Sequence, residues 1–330
     1  MGIYRFVLSI LVALSHSGIY FWGFNQGAVA VVSFLMISGY TAEYSISKWG
    51  GHSFKQILNY YGKRIVRLYP LYWFWVIASF IAVACGIAHE TIRSIPFEAV
   101  ILNILLIPLD YISLSVRMQT WLGMCLVIPA AWTTGMQLTY YIFAPLLHFL
   151  RTKRNSLNII IFTTSIVIFF LSLSGKLDSY WGYGLLPGMI WIFILGLYMH
   201  LDEKYEKILL FSAYLLCLTL FLYMGATGKW LDGQKKEILL GIILGLPFIY
   251  FLRSFPRGKL DDFLGNLSYG VYLDHFLIKN IMQNAIGHQP AKFNEWSLFI
   301  GLSVIGAICS HFLVEYPISV YLKRKRPPSV

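Results

Sequence analysis

The chain has 330 residues, of which 58% are hydrophobic and only 12% charged. That balance excludes a soluble globular domain and points to a polytopic membrane protein. The net charge of +11 does not indicate a nucleic-acid partner, because the basic residues gather in short loops between apolar runs.

Ten apolar segments, each close to ~20 residues, are long enough to cross a bilayer as helices. They run roughly 4–22, 28–46, 69–88, 121–149, 157–174, 183–200, 208–224, 237–253, 266–286 and 296–318. A further stretch, 97–109, is too short and is interrupted by Pro108 and Asp110, so it reads as interfacial or re-entrant. With the N-terminus in the cytosol, ten crossings put 18 of the 26 lysines and arginines on the inner side, the asymmetry of the positive-inside rule. The expected fold is therefore an all-α integral membrane bundle with both termini cytosolic. It forms one domain over 1–330, with no appended soluble domain. No repeat of fixed period is visible.

The first segment carries Arg5 at its start and His16 inside it, and lacks a small-residue cleavage site, so it reads as a retained span. Eleven positions separate the two residues, about three helical turns, which puts them on one face ~16 Å apart. An ionisable group deep in a membrane segment is a functional-site hypothesis. The alternative is a histidine satisfied by neighbouring helices, with Arg5 an interfacial anchor. The second segment contains Ser38 and Gly39 in a run of bulky residues, where small side chains admit another backbone or a ligand. Glu43 falls near its cytosolic end and is expected to be solvated.

The longest polar connection, Lys48 to Arg67, ends in Arg64 and Arg67, three apart and so on one helical side. Guanidinium forks bind oxyanions bidentately, though both could equally be lipid-headgroup anchors. The fourth segment places Gln137, Tyr140 and Tyr141 in an apolar frame, as ligand contacts or as interhelical glue. The ninth contains Asp274 and His275, which point about 100° apart on a helix. Asp274 could pair with a neighbouring helix or with Lys279. Gly241 and Gly245 form a small-xxx-small pair suited to close packing. Cys85, Cys125, Cys217 and Cys309 lie in apolar runs, as small buried hydrophobes rather than a disulfide framework or metal cluster. The basic tail, KRKRPPSV, could hold to anionic membrane lipid. No role attaches to the remaining histidines.

Together these stretches resemble the integral-membrane acyltransferases of acyltransferase family 3. The resemblance rests on Arg5 and His16 in the first helix and on SFLMISGY, Ser33 to Tyr40. It continues through RIVRLYP, Arg64 to Pro70, which places a turn at Leu68–Pro70, then LGNLSYGVYLDH, Leu264 to His275, and Glu315-Tyr316-Pro317. One position departs from the pattern: a glutamine, Gln137, stands where the family carries glutamate. The resemblance implies transfer of an acyl group, most often acetyl, from cytosolic acetyl-CoA to a sugar hydroxyl. The acceptor would be a carbohydrate such as a cell-surface polysaccharide, a lipopolysaccharide or a lipid-linked glycan at the bacterial inner membrane. It implies His16 and His275 as catalytic residues, Arg5, Arg64 and Arg67 at the coenzyme A phosphates, and Ser38, Gln137, Tyr140 and Tyr141 around the substrate. His16 would be a general base or a covalent acyl carrier. The competing class is a transporter or flippase for an envelope glycan precursor, with the two histidines relaying protons.

Overall fold

The computed structural model describes residues 1–48, 53–87, 97–107, 109, 127–153, 155–230, 235–256 and 258–324. His52, His89, Pro108, Asp110, Cys125, positions 121–126 of the fourth predicted segment and the last six residues of the tail lie outside the described residues.

The regular elements are helices. In chain order they are α1 (Gly2–His16), α2 (Gln26–Ile46), α3 (Phe54–Ala84), α4 (Phe97–Leu105), α5 (Ala131–Lys153), α6 (Asn155–Leu173), α7 (Ser179–Tyr183), α8 (Leu186–Leu201), α9 (Lys204–Thr227), α10 (Lys235–Leu252), α11 (Lys259–Ile286) and α12 (Phe293–Ser310). The last of these runs on through a π-helical turn, His311–Glu315, into α13 (Tyr316–Arg324). Among the described residues β-pairing is limited to an isolated bridge, Phe21 to Phe24.

Among the described residues six helical stretches are long and apolar enough to cross a membrane: Gln26–Ile46, Phe54–Ala84, Ser156–Leu173, Ser179–Leu201, Lys204–Thr227 and Phe293–Leu322. Among those that fall short are α5 and α11, which carry polar side chains within the helix. Thr133, Thr134 and Gln137 lie on α5, and Asp274 and His275 on α11. Such side chains lower mean hydropathy where an ordinary span would be uniformly apolar.

Two predicted boundaries are corrected. The first segment was expected to be helical over 4–22, but α1 is only 15 residues long and ends at His16. The Ser15 and Ser17 hydroxyls donate back to the carbonyls of Val12 at 2.7 Å and Ala13 at 3.3 Å, competing with helix continuation. Gly18 then takes the left-handed conformation at φ 80°, which glycine adopts without a Cβ penalty. His16 therefore stands in the last turn, not in mid-helix.

The polar connection before Arg67 is also largely helical. Ser53 and Gln56 form a capping box that starts α3 at Phe54, satisfying two otherwise orphaned N–H groups. Pro70 makes no turn: the helix continues through it for 31 residues in all, with the Tyr269 hydroxyl donating to the nearby Leu68 carbonyl at 3.3 Å. Neighbouring side chains can serve the backbone where proline interrupts a buried helix.

The short stretch at 97–109 forms the nine-residue α4. Its last carbonyls accept from α3: Tyr72 to Asn103 and Tyr69 to Leu105, both at 2.7 Å, and Trp73 to Ile104 at 3.1 Å. Aromatic donors thus occupy the carbonyls that a helix end leaves free.

The centre of the bundle is α2, which packs on α8 and α10 through glycines. A Cβ at Gly39 would strike the Phe193 carbonyl, and one at Gly196 the Met36 carbonyl. Gly241 and Gly245 likewise face Val32 and Ser33, in keeping with close helix packing. Of the cysteines, Cys217 is buried, whereas Cys85 and Cys309 are exposed rather than interior.

Gly39→Ala should destabilise the protein by ~1–3 kcal/mol, since backbone must shift to admit the methyl. Gly301→Ala, where nothing lies within 4 Å of a Cβ inside α12, should keep or slightly raise the detergent melting temperature. Equal melting for the two variants would show that α2 and α8 are not locked at Gly39.

Candidate active site

Five helices, α1, α2, α3, α5 and α11, enclose a narrow cavity, with Arg5, Arg64 and Arg67 in its wall. Its volume is about 80 Å³, against about 690 Å³ for a wider cavity between α3, α11 and α13. Arg67 lines both and is exposed to that space. Among the described residues it makes no hydrogen bond. Lys63, His311 and Glu315 share the wider cavity, with His311 Nδ1 2.8 Å from Glu315.

Arg64 and Arg67 share a helical side but not a role. Arg64 is buried, donates to the Thr41 carbonyl and the Ser45 hydroxyl at 3.0 Å each, and packs on two rings. Its guanidinium carbon lies 4.5 Å from the Tyr141 ring centre and 5.0 Å from that of Tyr60, within cation–π range. Arg5 packs over Gly265 of α11, where a Cβ would stand 2.7 Å from its Nη2.

Ser38, Gln137 and Tyr141 also line the narrow cavity. Gln137 Nε2 donates to the Ser38 hydroxyl and, at 3.0 Å, to the Tyr141 hydroxyl. Ser38 in turn donates to the Phe34 carbonyl at 2.7 Å. The amide therefore uses both its protons on fixed acceptors, with no charge brought into the cavity. A glutamate at this position would supply no proton to either hydroxyl.

Tyr140 does not join them. It is fully buried and stacks on Phe193 at 4.1 Å; as its neighbour on the helix it points about 100° away from Tyr141. It was expected around the substrate, and it does not line this cavity.

The two histidines meet each other outside the cavity wall. The His16 and His275 rings stack at 5.3 Å with 18° between planes, and Phe276 packs on both at 4.6 Å. His16 is exposed at the loop end of α1, whereas His275 is wholly buried. His275 Nδ1 lies 3.2 Å from the Val271 carbonyl, and its Nε2 has no hydrogen-bond partner among the described residues. A ring that donates through Nδ1 keeps a basic lone pair on Nε2.

Glu43 is not where it was expected, and Asp274 takes the first of its two expected places, against a neighbouring helix. Glu43 is 1% exposed rather than solvated, and accepts from His148 Nδ1 at 2.7 Å. Asp274 does not pair with Lys279, which donates to the His16 carbonyl at 3.1 Å. It is buried against α12, where a Cβ at Gly306 would lie 2.7 Å from Oδ2.

Thr133, Thr134, Tyr269 and Tyr272 line the narrow cavity and were not singled out from sequence. The signal was present: Tyr269, Tyr272 and His275 recur at three-residue spacing, one face of a helix.

This is a helical membrane fold built round an arginine-walled cavity. Residues 3–315 match the family described as an acyltransferase domain, and the chain belongs to it. It is accordingly a membrane acyltransferase. A protein of Aquifex aeolicus (strain VF5), described only as uncharacterized, is similar to it: 31% identical over 173 residues, 48% of this chain and 76% of that protein. No solved structure matches the chain.

Proposed function

We propose that the protein transfers an acetyl group from cytosolic acetyl-CoA to a sugar hydroxyl of a bacterial cell-surface polysaccharide, lipopolysaccharide or lipid-linked glycan. The observation that carries this reading is the convergence of Arg5 from α1 and of Arg64 and Arg67 from α3 on one cavity. Charged forks suit the phosphates of a coenzyme A thioester. Membership of the acyltransferase family supports the reaction class.

In this reading His16 takes the proton of the acceptor hydroxyl as general base. The sugar oxygen attacks the thioester carbonyl, the carbon–sulfur bond breaks, and the thiolate leaves to become the coenzyme A thiol. His275 orients His16 through the stacked rings. Ser38, Gln137 and Tyr141 position the acyl arm. Ten crossings with both termini in the cytosol follow from the distribution of lysine and arginine, and would put the arginine end inside. The protein would then sit in the cytoplasmic membrane.

Mass analysis of envelope glycans from cells with and without the protein tests the reading. The expected result is loss of one acetyl group per glycan repeat in its absence. Unchanged glycans, together with no acetyl-CoA consumption by the purified protein, would overturn it.

A further inference from the structure

Tyr272 borders both the arginine-walled cavity and the histidine pair. It lines the cavity on one side, and its ring centre lies 6.2 Å from that of His275 on the other. It is only 7% exposed. Phe34 packs edge-on against it at 5.9 Å and lines the same cavity.

The ring is held by a latch at its hydroxyl. The Tyr272 hydroxyl donates to the Ala130 carbonyl at 2.8 Å and is also hydrogen-bonded to Thr133. The Thr133 hydroxyl donates to the same carbonyl at 3.0 Å. Two hydroxyl protons can fill only two of these three contacts at a time, with the shared Ala130 carbonyl accepting at least one of them, so the two side chains depend on each other for their geometry.

Neither His16 nor His275 lines the cavity. Among the described residues the Tyr272 ring borders both the cavity and His275, so it stands on the direct line from the arginine end to the histidines. We propose that Tyr272, latched by Thr133 and the Ala130 carbonyl, is the gate between the donor cavity and the histidine pair, and that it decides between sugar hydroxyl and water as acyl acceptor. The inference rests on the proposed use of acetyl-CoA. A closed site suppresses hydrolysis of a reactive donor, and such gates commonly move during turnover. The side reaction is balanced: a water oxygen bonds to the thioester carbonyl carbon, a histidine takes the proton, the carbon–sulfur bond breaks, and acetate and coenzyme A thiol are released.

The test uses the full chain in detergent, with acetyl-CoA and no acceptor, and measures thiol release. Tyr272→Phe keeps the ring and loses the latch; Thr133→Val removes the latch from the other side at similar volume. Each should raise acceptor-free release about fivefold, the effect of losing one buried hydrogen bond of ordinary strength. Tyr272→Ala should raise it further. In Tyr272→Phe and Thr133→Val acetyl-CoA affinity should stay within about twofold of wild type, because the cavity keeps its shape and the arginines are untouched. Combining Tyr272→Phe with His16→Ala should abolish the leak. A variant that merely loosened the fold would lower release, not raise it. Wild-type protein that binds no acetyl-CoA overturns the functional reading and the gate with it. Binding by wild type, with release unchanged in both Tyr272→Phe and Thr133→Val, overturns the gate alone.

Discussion

Replacing His16 with alanine is expected to lower acyl transfer at least ~10²-fold, the smaller end of what a positioned general base contributes. The protein should still fold and insert, because His16 is exposed in the last turn of α1 and exposed positions usually tolerate substitution within about 0.5 kcal/mol. Acetyl-CoA affinity should also survive, since Arg5 lies ~16 Å away along the same helix. Loss of rate without loss of donor binding separates this variant from any arginine variant. His275→Ala should cost less transfer per folded molecule but more stability, because it empties a fully buried site. The measurements are glycan acetylation at matched expression, acetyl-CoA titration and thermal melting. Wild-type acetylation in His16→Ala would make His16 structural, and would move the search for the base to His275 and its unpartnered Nε2.

Much of this arrangement could be read from local sequence, because apolar length and helical spacing are local properties. The three-residue separation of Arg64 and Arg67 placed both on one side of α3, and the adjacency of Asp274 and His275 sent them different ways. The structure puts Asp274 against Gly306 and His275 against His16. What spacing could not supply was the partner across the bundle. Glu43 and His148 lie 105 positions apart, so nothing local marks the glutamate as buried. Tyr140 and Tyr141 are adjacent and chemically alike; only the position of Phe193 on α8 decides which one is core. The end of α1 was misjudged because apolar residues continue past it. The stop is set by two serine hydroxyls and a left-handed glycine, a backbone effect that hydropathy does not register.

Arg67→Ala should weaken acetyl-CoA binding by ~10–100-fold, with little change in stability, because a charge-assisted hydrogen bond to a phosphate contributes ~1.5–3 kcal/mol. Arg67 opens into both cavities and makes no hydrogen bond among the described residues, so removing it orphans no protein acceptor. Arg64→Ala is different. It strips donors from the Thr41 carbonyl and Ser45 hydroxyl and takes the cation away from the Tyr60 and Tyr141 rings. The Thr41 carbonyl keeps the Ser45 hydroxyl as a donor, but two part-buried hydrogen bonds at ~0.5–1.5 kcal/mol each are lost, so this variant should melt lower as well as bind more weakly. Lysine should rescue position 67 in part, since it restores charge without the fork, and position 64 hardly at all, where two acceptors and two rings must be met at once. Titration with acetyl-CoA and thermal melting of the four variants give the answer. Unchanged affinity in Arg67→Ala would make Arg67 a topology anchor and leave the cavity without its proposed ligand. Equal stability losses in the two alanine variants would show that Arg67, too, is spent on holding the fold together.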